Sequence, residues 1–345
     1  MWQLVNNTPY AAERCFARDR HGAEVWVVAV KATYDLAADG RLKLSEQQIA
    51  PCMTMKYRAE PGRSSLLYDV ELTSFKLATD VLLHGHAYAP GGRPVKRLEV
   101  GMRVGSVVRS LLVWGNRFWR KRSGTLVLSE PEPFTRMSLS YENAQGGSES
   151  GEGPEPTACE RRNPVGTGFA TRVERLVDQR APNIEDPRAM ITSWQDRPRP
   201  AGLGPIARDW SPRLERAGTY DERWQRERHP LPPNDFDERF HQCAPDEQQV
   251  PGFLKGGEPV LLLNLFPHTE RLNFTLPRVW LRFRTHLGRD VVEHTASLHT
   301  VILEPDVSRV MMVWGTHVPC HGREHLLEKT IILEKPLVSL GSRPS

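Results

Sequence analysis

Arg97-Leu98-Glu99-Val100-Gly101-Met102-Arg103-Val104 decides the fold class. Leu98, Val100, Met102 and Val104 alternate with Arg97, Glu99, Gly101 and Arg103. A period of two sends the two sets to opposite sides of a pleated strand, so this segment reads as a strand with one dry face and one wet face. Just before it, Ala89-Pro90-Gly91-Gly92 offers a hairpin turn, because proline fixes φ and glycine accepts a positive φ. Working outward, Val25 to Tyr34 is a continuous apolar, β-branched run that suits a strand covered on both faces. Val107 to Trp114 and Thr125 to Leu128 continue the series. The pattern returns after Glu258, in Val279, Leu281 and Phe283, then in Val301 to Leu303, Val310 to Trp314 and Thr330 to Leu333. The expected fold is mainly β, with two sandwich-like antiparallel sheets flanking a proline-rich, partly helical irregular strap.

Four segments are expected: an N-terminal β domain over 1–144, a flexible linker over 145–157, the strap over 158–252 and a C-terminal β domain over 253–345. The linker reading rests on QGGSESGEGPEPT, which has glycine, serine and glutamate without apolar anchors. Val113-Trp114-Gly115-Asn116-Arg117 and Val313-Trp314-Gly315-Thr316-His317 are faintly alike, which raises an internal duplication against the simpler case of two unrelated sheets. Within the strap, Asp186-Pro187 is expected to open a helix, since proline at the first helical position forfeits no hydrogen bond. Thr219 with Glu222 fits a capping box, which would set Tyr220 and Trp224 on one face. Asn234 or Asp235 is expected to cap a short helix through Phe240. Frequent prolines keep all of these helices short.

Composition narrows the function classes. The 345 residues carry 46 basic and 42 acidic side chains, a net charge of +4, too weak a field to argue for nucleic acid or an anionic membrane. The opening residues MWQLVNNTPYAAERC lack the basic and apolar regions of a signal peptide, and no apolar run approaches a membrane span. The five cysteines show no CxxC spacing, consistent with reduced thiols and a cytoplasmic location.

The strap is the most specific part of the chain. Its strings PNIEDP, PAGLGPI, DWSPR, AGTYDERW, NDFDERF and APDEQ mix prolines, acids and aromatic rings without repetition. Together with Lys31 to Tyr34, Lys76 to Val81, Trp114 to Arg117, Asn163 to Phe169, Gly256 to Glu258 and Leu263 to Pro267, they resemble a bacterial family of domains of unknown function. That family is associated with type VI secretion gene clusters, and some members act as adaptors or chaperones for toxic effectors. The resemblance implies a protein partner, an effector or its spike-tip carrier, bound without chemistry or cofactor. Rigid rings and a pre-set backbone lose little entropy on docking, so Trp194, Trp210, Tyr220, Trp224, Phe236 and Phe240 are the candidate contact residues. Asn183, Asp186, Pro187, Asp209, Asp221, Asp235 and Asp237 are the structural residues of the same strings.

Catalytic readings are weaker on the residues. His321-Gly322-Arg323-Glu324-His325 matches the inverted zinc-protease pattern literally, but that chemistry needs both histidines on one helical face. Here Gly322 interrupts the would-be helix and strand-like residues flank it. His317, Cys320, His321 and His325 are the remaining candidates for a structural metal site. His84 and His86 share a strand face and are read as surface or half-buried residues. Gly166-Thr167-Gly168 lacks the third glycine and the preceding strand of a dinucleotide loop, and reads as a tight turn. The strap's acids raise a carbohydrate-active hydrolase, but neighbouring arginines favour structural ion pairs. A metal-dependent hydrolase and a carbohydrate-binding β module complete the set of competing function classes. A deep acid-lined cleft would favour the hydrolase, and a broad apolar patch the adaptor.

Overall fold

The computed structural model describes residues 2–73, 75–150, 156–267 and 269–335. The hairpin expected at Ala89-Pro90-Gly91-Gly92 does not form: Pro90–Gly92 is a 3₁₀ turn, and the strand before it, His86–Tyr88, pairs with Arg136–Ser138. Arg97–Val104 and Val107–Trp114 do form as strands and pair antiparallel with each other across Gly105-Ser106. Residues of the first strand alternate between exposed or half-buried and buried along its whole length. These two strands lie in a five-stranded sheet whose order is Ile184–Glu185, Val107–Trp114, Arg97–Val104, Pro259–Phe266, Thr269–Thr275. A seven-stranded sheet runs from Gln249–Pro251 through Ala78–Leu83, Ser297–Glu304, Arg309–Pro319 and Glu24–Leu36 to Ala11–Arg18, with Leu42–Leu44 also on Glu24–Leu36. A third sheet joins Gln3–Asn7, Leu327–Glu334, Leu281–Leu287 and Asp290–Thr295.

The chain is therefore mainly β, as its periodicity indicates. Within these three sheets two pairings are parallel: Ala78–Leu83 with Ser297–Glu304, and Gln3–Asn7 with Leu327–Glu334. One contiguous core lies between the inner faces of the sheets. Val100, Met102, Leu111 and Leu262 of the five-stranded sheet share it with Val28, Val30, Val81 and Met312 of the seven-stranded sheet. Val25 to Tyr34 is buried on both faces, as its apolar, β-branched run predicts, with Lys31 inside it paired to Glu71 at 2.8 Å. The far face of this sheet is covered by the 45–72 segment and by the strap, where Cys243 and Ala244 meet Leu82, Ile302 and Met311.

The separation into N-terminal and C-terminal β domains does not hold. Glu24–Leu36 is hydrogen-bonded along its length to Arg309–Pro319, and Arg97–Val104 to Pro259–Phe266. Strands from both ends of the chain thus share two sheets and a core. The two similar strings take different places: Trp114 ends a strand near the edge of one sheet, whereas Trp314 sits within a central strand of another. The linker also differs from its expected form. Gln145–Gly146 pairs with Thr167–Gly168, Ser148–Ser150 pairs with Pro156–Cys159, and Gln145 and Glu149 are buried. Residues 151–155 of that stretch lie outside the described residues.

Two histidines buried beside the seven-stranded sheet set a pH dependence. Burial, reinforced by Arg58, pushes His84 down to about 3, and burial, reinforced by Lys76, pushes His299 down to about 3. The unfolded chain takes up these protons near pH 6.5, the folded chain only near pH 3. Stability is therefore retained above pH 6.5 and falls as pH drops below it, by about 1.4 kcal/mol per pH unit for each histidine. Denaturant melts at pH 6.5 and pH 5 are expected to differ by up to about 4 kcal/mol from this pair. Equal stabilities would contradict their neutral burial.

Candidate functional site

The strap is fastened to the edge of the five-stranded sheet. Ile184 and Glu185 pair with Val113 and Leu112. The buried Glu185 carboxylate accepts from Arg117 at 2.5 Å and from the Trp114 indole at 3.1 Å, and the Arg117 guanidinium lies 4.6 Å over the Trp114 ring. Asn183, fully buried, donates to the Trp114 carbonyl at 3.1 Å and accepts from Arg180 at 2.6 Å. The helix expected at Asp186-Pro187 does not form. Asp186 instead closes a turn, accepting from the Arg188 amide at 2.9 Å and from its guanidinium at 2.7 Å. An Asp side chain that satisfies the backbone two residues on favours a turn over a helical start.

Beyond this turn lies a cavity of about 520 Å³, with a second of about 350 Å³ along the sheet edge. The two share Arg109, Asp186, Arg188 and Glu247. Their walls come from PNIEDP, PAGLGPI, DWSPR and APDEQ: Asp186 and Pro187, Ala201 and Ile206, Ser211 and Pro212, Asp246 and Glu247. Four strings separated by up to about sixty residues in sequence thus meet in one place, with Tyr141 as an aromatic wall.

Most charges in the cavity are neutralised locally. Arg188 pairs with Asp186 at 2.7 Å, Arg162 with Glu160 at 2.7 Å, and Asp246 with Arg216 at 2.8 Å. The Arg188 hydrogen bonds hold the Asp186 carboxyl down at about 2. It stays ionised through the physiological range, which suits an ion pair and not a proton donor. Ser211 is hydrogen-bonded to Glu215. The side chains of Arg109, Arg199 and Glu247 make no hydrogen bond among the described residues, and of these Arg109 alone is buried. It is 7% exposed and lies 3.7 Å from Asp186.

The six aromatic candidates do not form one surface. Trp210 is buried below the cavity, edge-on to Tyr141 at 5.6 Å. Trp194 packs with Trp119, Leu126, Leu176 and Ile191 in a separate cluster. Phe236 and Phe240 meet at 5.7 Å, with Arg213 and Arg208 over the Phe240 ring at 5.5 and 5.8 Å. Tyr220 and Trp224 do meet, at 4.7 Å, in an outlying lobe where the Trp224 indole donates to the Leu231 carbonyl at 2.8 Å.

The caps of that lobe shift from their expected residues. Asp221, not Thr219, caps helix Glu222–Glu227 by accepting from the Trp224 amide at 2.8 Å. Thr219 is held by Asp235, at 3.0 Å through its amide and 2.8 Å through its hydroxyl. Asp237, not Asn234 or Asp235, caps the 3₁₀ turn Glu238–His241. In each case an acid directly before the turn wins, because its carboxylate reaches the amide two or three residues on. Asp209 and Pro187 are exposed.

The HxxEH segment is no helix. His321 has φ +52° in the turn after Arg309–Pro319, and Glu324–Leu326 is a 3₁₀ turn. Cys320 is fully buried, His317 packs on Phe75 at 4.8 Å, and His321 and His325 are exposed. Among the described residues no three His, Cys, Asp or Glu side chains gather as metal ligands.

Arg109 and Tyr141 escape a reading by motif. Arg109 did leave a signal: it occupies the apolar period of Val107, Leu111 and Val113, where a charge is out of place. Among the described residues no helix is long and apolar enough to cross a membrane. The profile of a bacterial family described as "uncharacterized protein conserved in bacteria (DUF2169)" matches residues 21–315. No curated protein and no solved structure matches the chain.

Proposed function

This chain belongs to the DUF2169 family of bacterial proteins, and from that premise we propose that it is a non-enzymatic cytoplasmic adaptor. Its partner in this reading is a type VI secretion effector, the effector's spike-tip carrier, or both, and its task is loading. The observation that carries the reading is the convergence of PNIEDP, PAGLGPI, DWSPR and APDEQ on one cavity beside an open sheet edge. Such a place offers main-chain groups, apolar walls and one desolvated cation, which are the means of recognising a polypeptide. A hydrolase would require a carboxyl poised to give up a proton, and Asp186 is tied to Arg188.

A clean deletion tests the proposal. Loss of the chain is expected to abolish delivery, or lower the abundance, of one cognate effector while the secretion apparatus still assembles. A partner that binds only folded cargo stabilises it by mass action, and its removal exposes the cargo to degradation. Normal delivery of every effector in the deletion strain would refute the adaptor role.

A further inference from the structure

The edge next to Arg109 is open for a structural reason. The Trp114 amide donates to the Asn183 carbonyl at 2.7 Å, so the peptide groups of Leu112, Ser110 and Val108, at every second position back along the strand, face the same side. Ile184–Glu185 covers only Val113 and Leu112. The chain then reaches Pro187, which has no N–H to continue a ladder, and turns away. Among the described residues no strand pairs with Val107 to Leu111 on that side. The smaller cavity lies along this stretch, lined by Val108 and Ser110, and Val108 is 64% exposed.

Arg109 stands on the inner side of the same edge. Its guanidinium has five N–H donors in a fixed fork, and the buried Nε is left without an acceptor, which is costly. The nearest carboxylate, Asp186, is 3.7 Å away and is already bound by Arg188. A residue placed beside Arg109 in an added strand would point to the same side, within reach of a bidentate contact.

We propose that an extended segment of the protein partner adds to the Val107–Leu111 edge as a further strand and seats one Asp or Glu side chain against the Arg109 guanidinium. This rests on the protein-binding reading above and names its chemistry. A β-branched residue of the segment would pack on the outer face beside Val108. Glu247 borders both cavities and Glu99 the smaller one, so carboxylates of the segment other than the one at Arg109 would meet like charge.

The test uses the full chain and a random twelve-residue peptide library displayed on phage. Selected peptides are expected to share one Asp or Glu with β-branched neighbours, and their binding should slow amide exchange at Val108 and Ser110. Arg109→Met should weaken them at least tenfold while leaving the melting temperature unchanged or higher, because it removes an unsatisfied cation and no hydrogen bond. Ser110→Pro should weaken acidic and neutral peptides alike. No selected peptide, selected peptides without an acid, or binding indifferent to both substitutions would overturn the proposal. Lost effector delivery on deletion together with any of those outcomes would leave the adaptor role standing and remove this site from it.

Discussion

Replacing Arg213 by methionine is expected to cost about 3–5 kcal/mol of stability, the range for breaking a buried ion pair by removing one partner. Arg213 is 1% exposed and ties three segments together. It donates to Asp69 at 2.7 Å, to the Ile206 carbonyl at 2.6 Å, and to the Phe240 carbonyl at 3.0 and 3.1 Å. Methionine fills much of the volume but leaves two carbonyls without these donors and leaves Asp69 with the Val70 amide at 2.8 Å and Arg208 at 3.3 Å. Lysine should not rescue the loss, since an ammonium cannot reproduce the planar fork that reaches all three acceptors. Denaturant midpoints of the two variants check this. A methionine variant as stable as the wild type would mean that the strap is not fastened through this residue.

Asp80→Asn should be comparably damaging, at about 3–5 kcal/mol. Asp80 is fully buried and accepts from Lys76 at 2.5 Å, from the Gln242 side chain at 2.9 Å and from the Cys243 amide at 2.9 Å. Burial alone would press the Lys76 ammonium toward neutrality, but Asp80 outweighs it and holds the pKa above the ordinary lysine value. Asparagine keeps the shape but strands Lys76 as a buried cation. The double variant Lys76→Met, Asp80→Asn is therefore expected to be more stable than Asp80→Asn alone. If the second substitution adds its own penalty in full, the two groups are not coupled, and the loss in Asp80→Asn comes from the Gln242 and Cys243 contacts that join strap to sheet.

These two contacts show why part of the molecule was legible in the sequence and part was not. Arg97–Val104 and Val25 to Tyr34 could be read because a half-covered strand and a doubly covered strand each leave their own local pattern. Pairing leaves no such local mark. Nothing within Glu24–Leu36 tells that its partner is Arg309–Pro319, almost three hundred residues away, so a division into two β domains followed naturally from strand-rich ends around a proline-rich middle. The caps moved by two residues because Thr219 and Asp221 are both able to accept an amide, and Asp235 claims the threonine. The glycine- and serine-rich stretch after Ala144 reads as a linker by composition, yet Glu149 accepts from the Thr171 amide and hydroxyl, at 2.8 and 2.7 Å. For the site, ring count pointed to six aromatics that lie in separate places. The better signal was a single charge, Arg109, in an apolar period.

Arg109 also separates two uses of buried arginine in this fold. Arg213 donates through all three guanidinium nitrogens, and Arg117 donates to the Pro182 carbonyl and to Glu185 although its Nε has no partner; both hold the structure together. Arg109 makes no hydrogen bond among the described residues, has only Asp186 at 3.7 Å and faces a cavity, so in the proposed complex a bound carboxylate would relieve its burial. Sites kept for binding commonly lower the stability of the unbound protein in this way.

The most direct test is effector delivery in a strain whose chromosomal copy carries Arg109→Met. Delivery is predicted to fall to the level of the deletion strain while the variant accumulates as much as the wild type. Undiminished delivery by a stable, normally abundant variant would contradict the assignment of this cavity as the place where the partner binds.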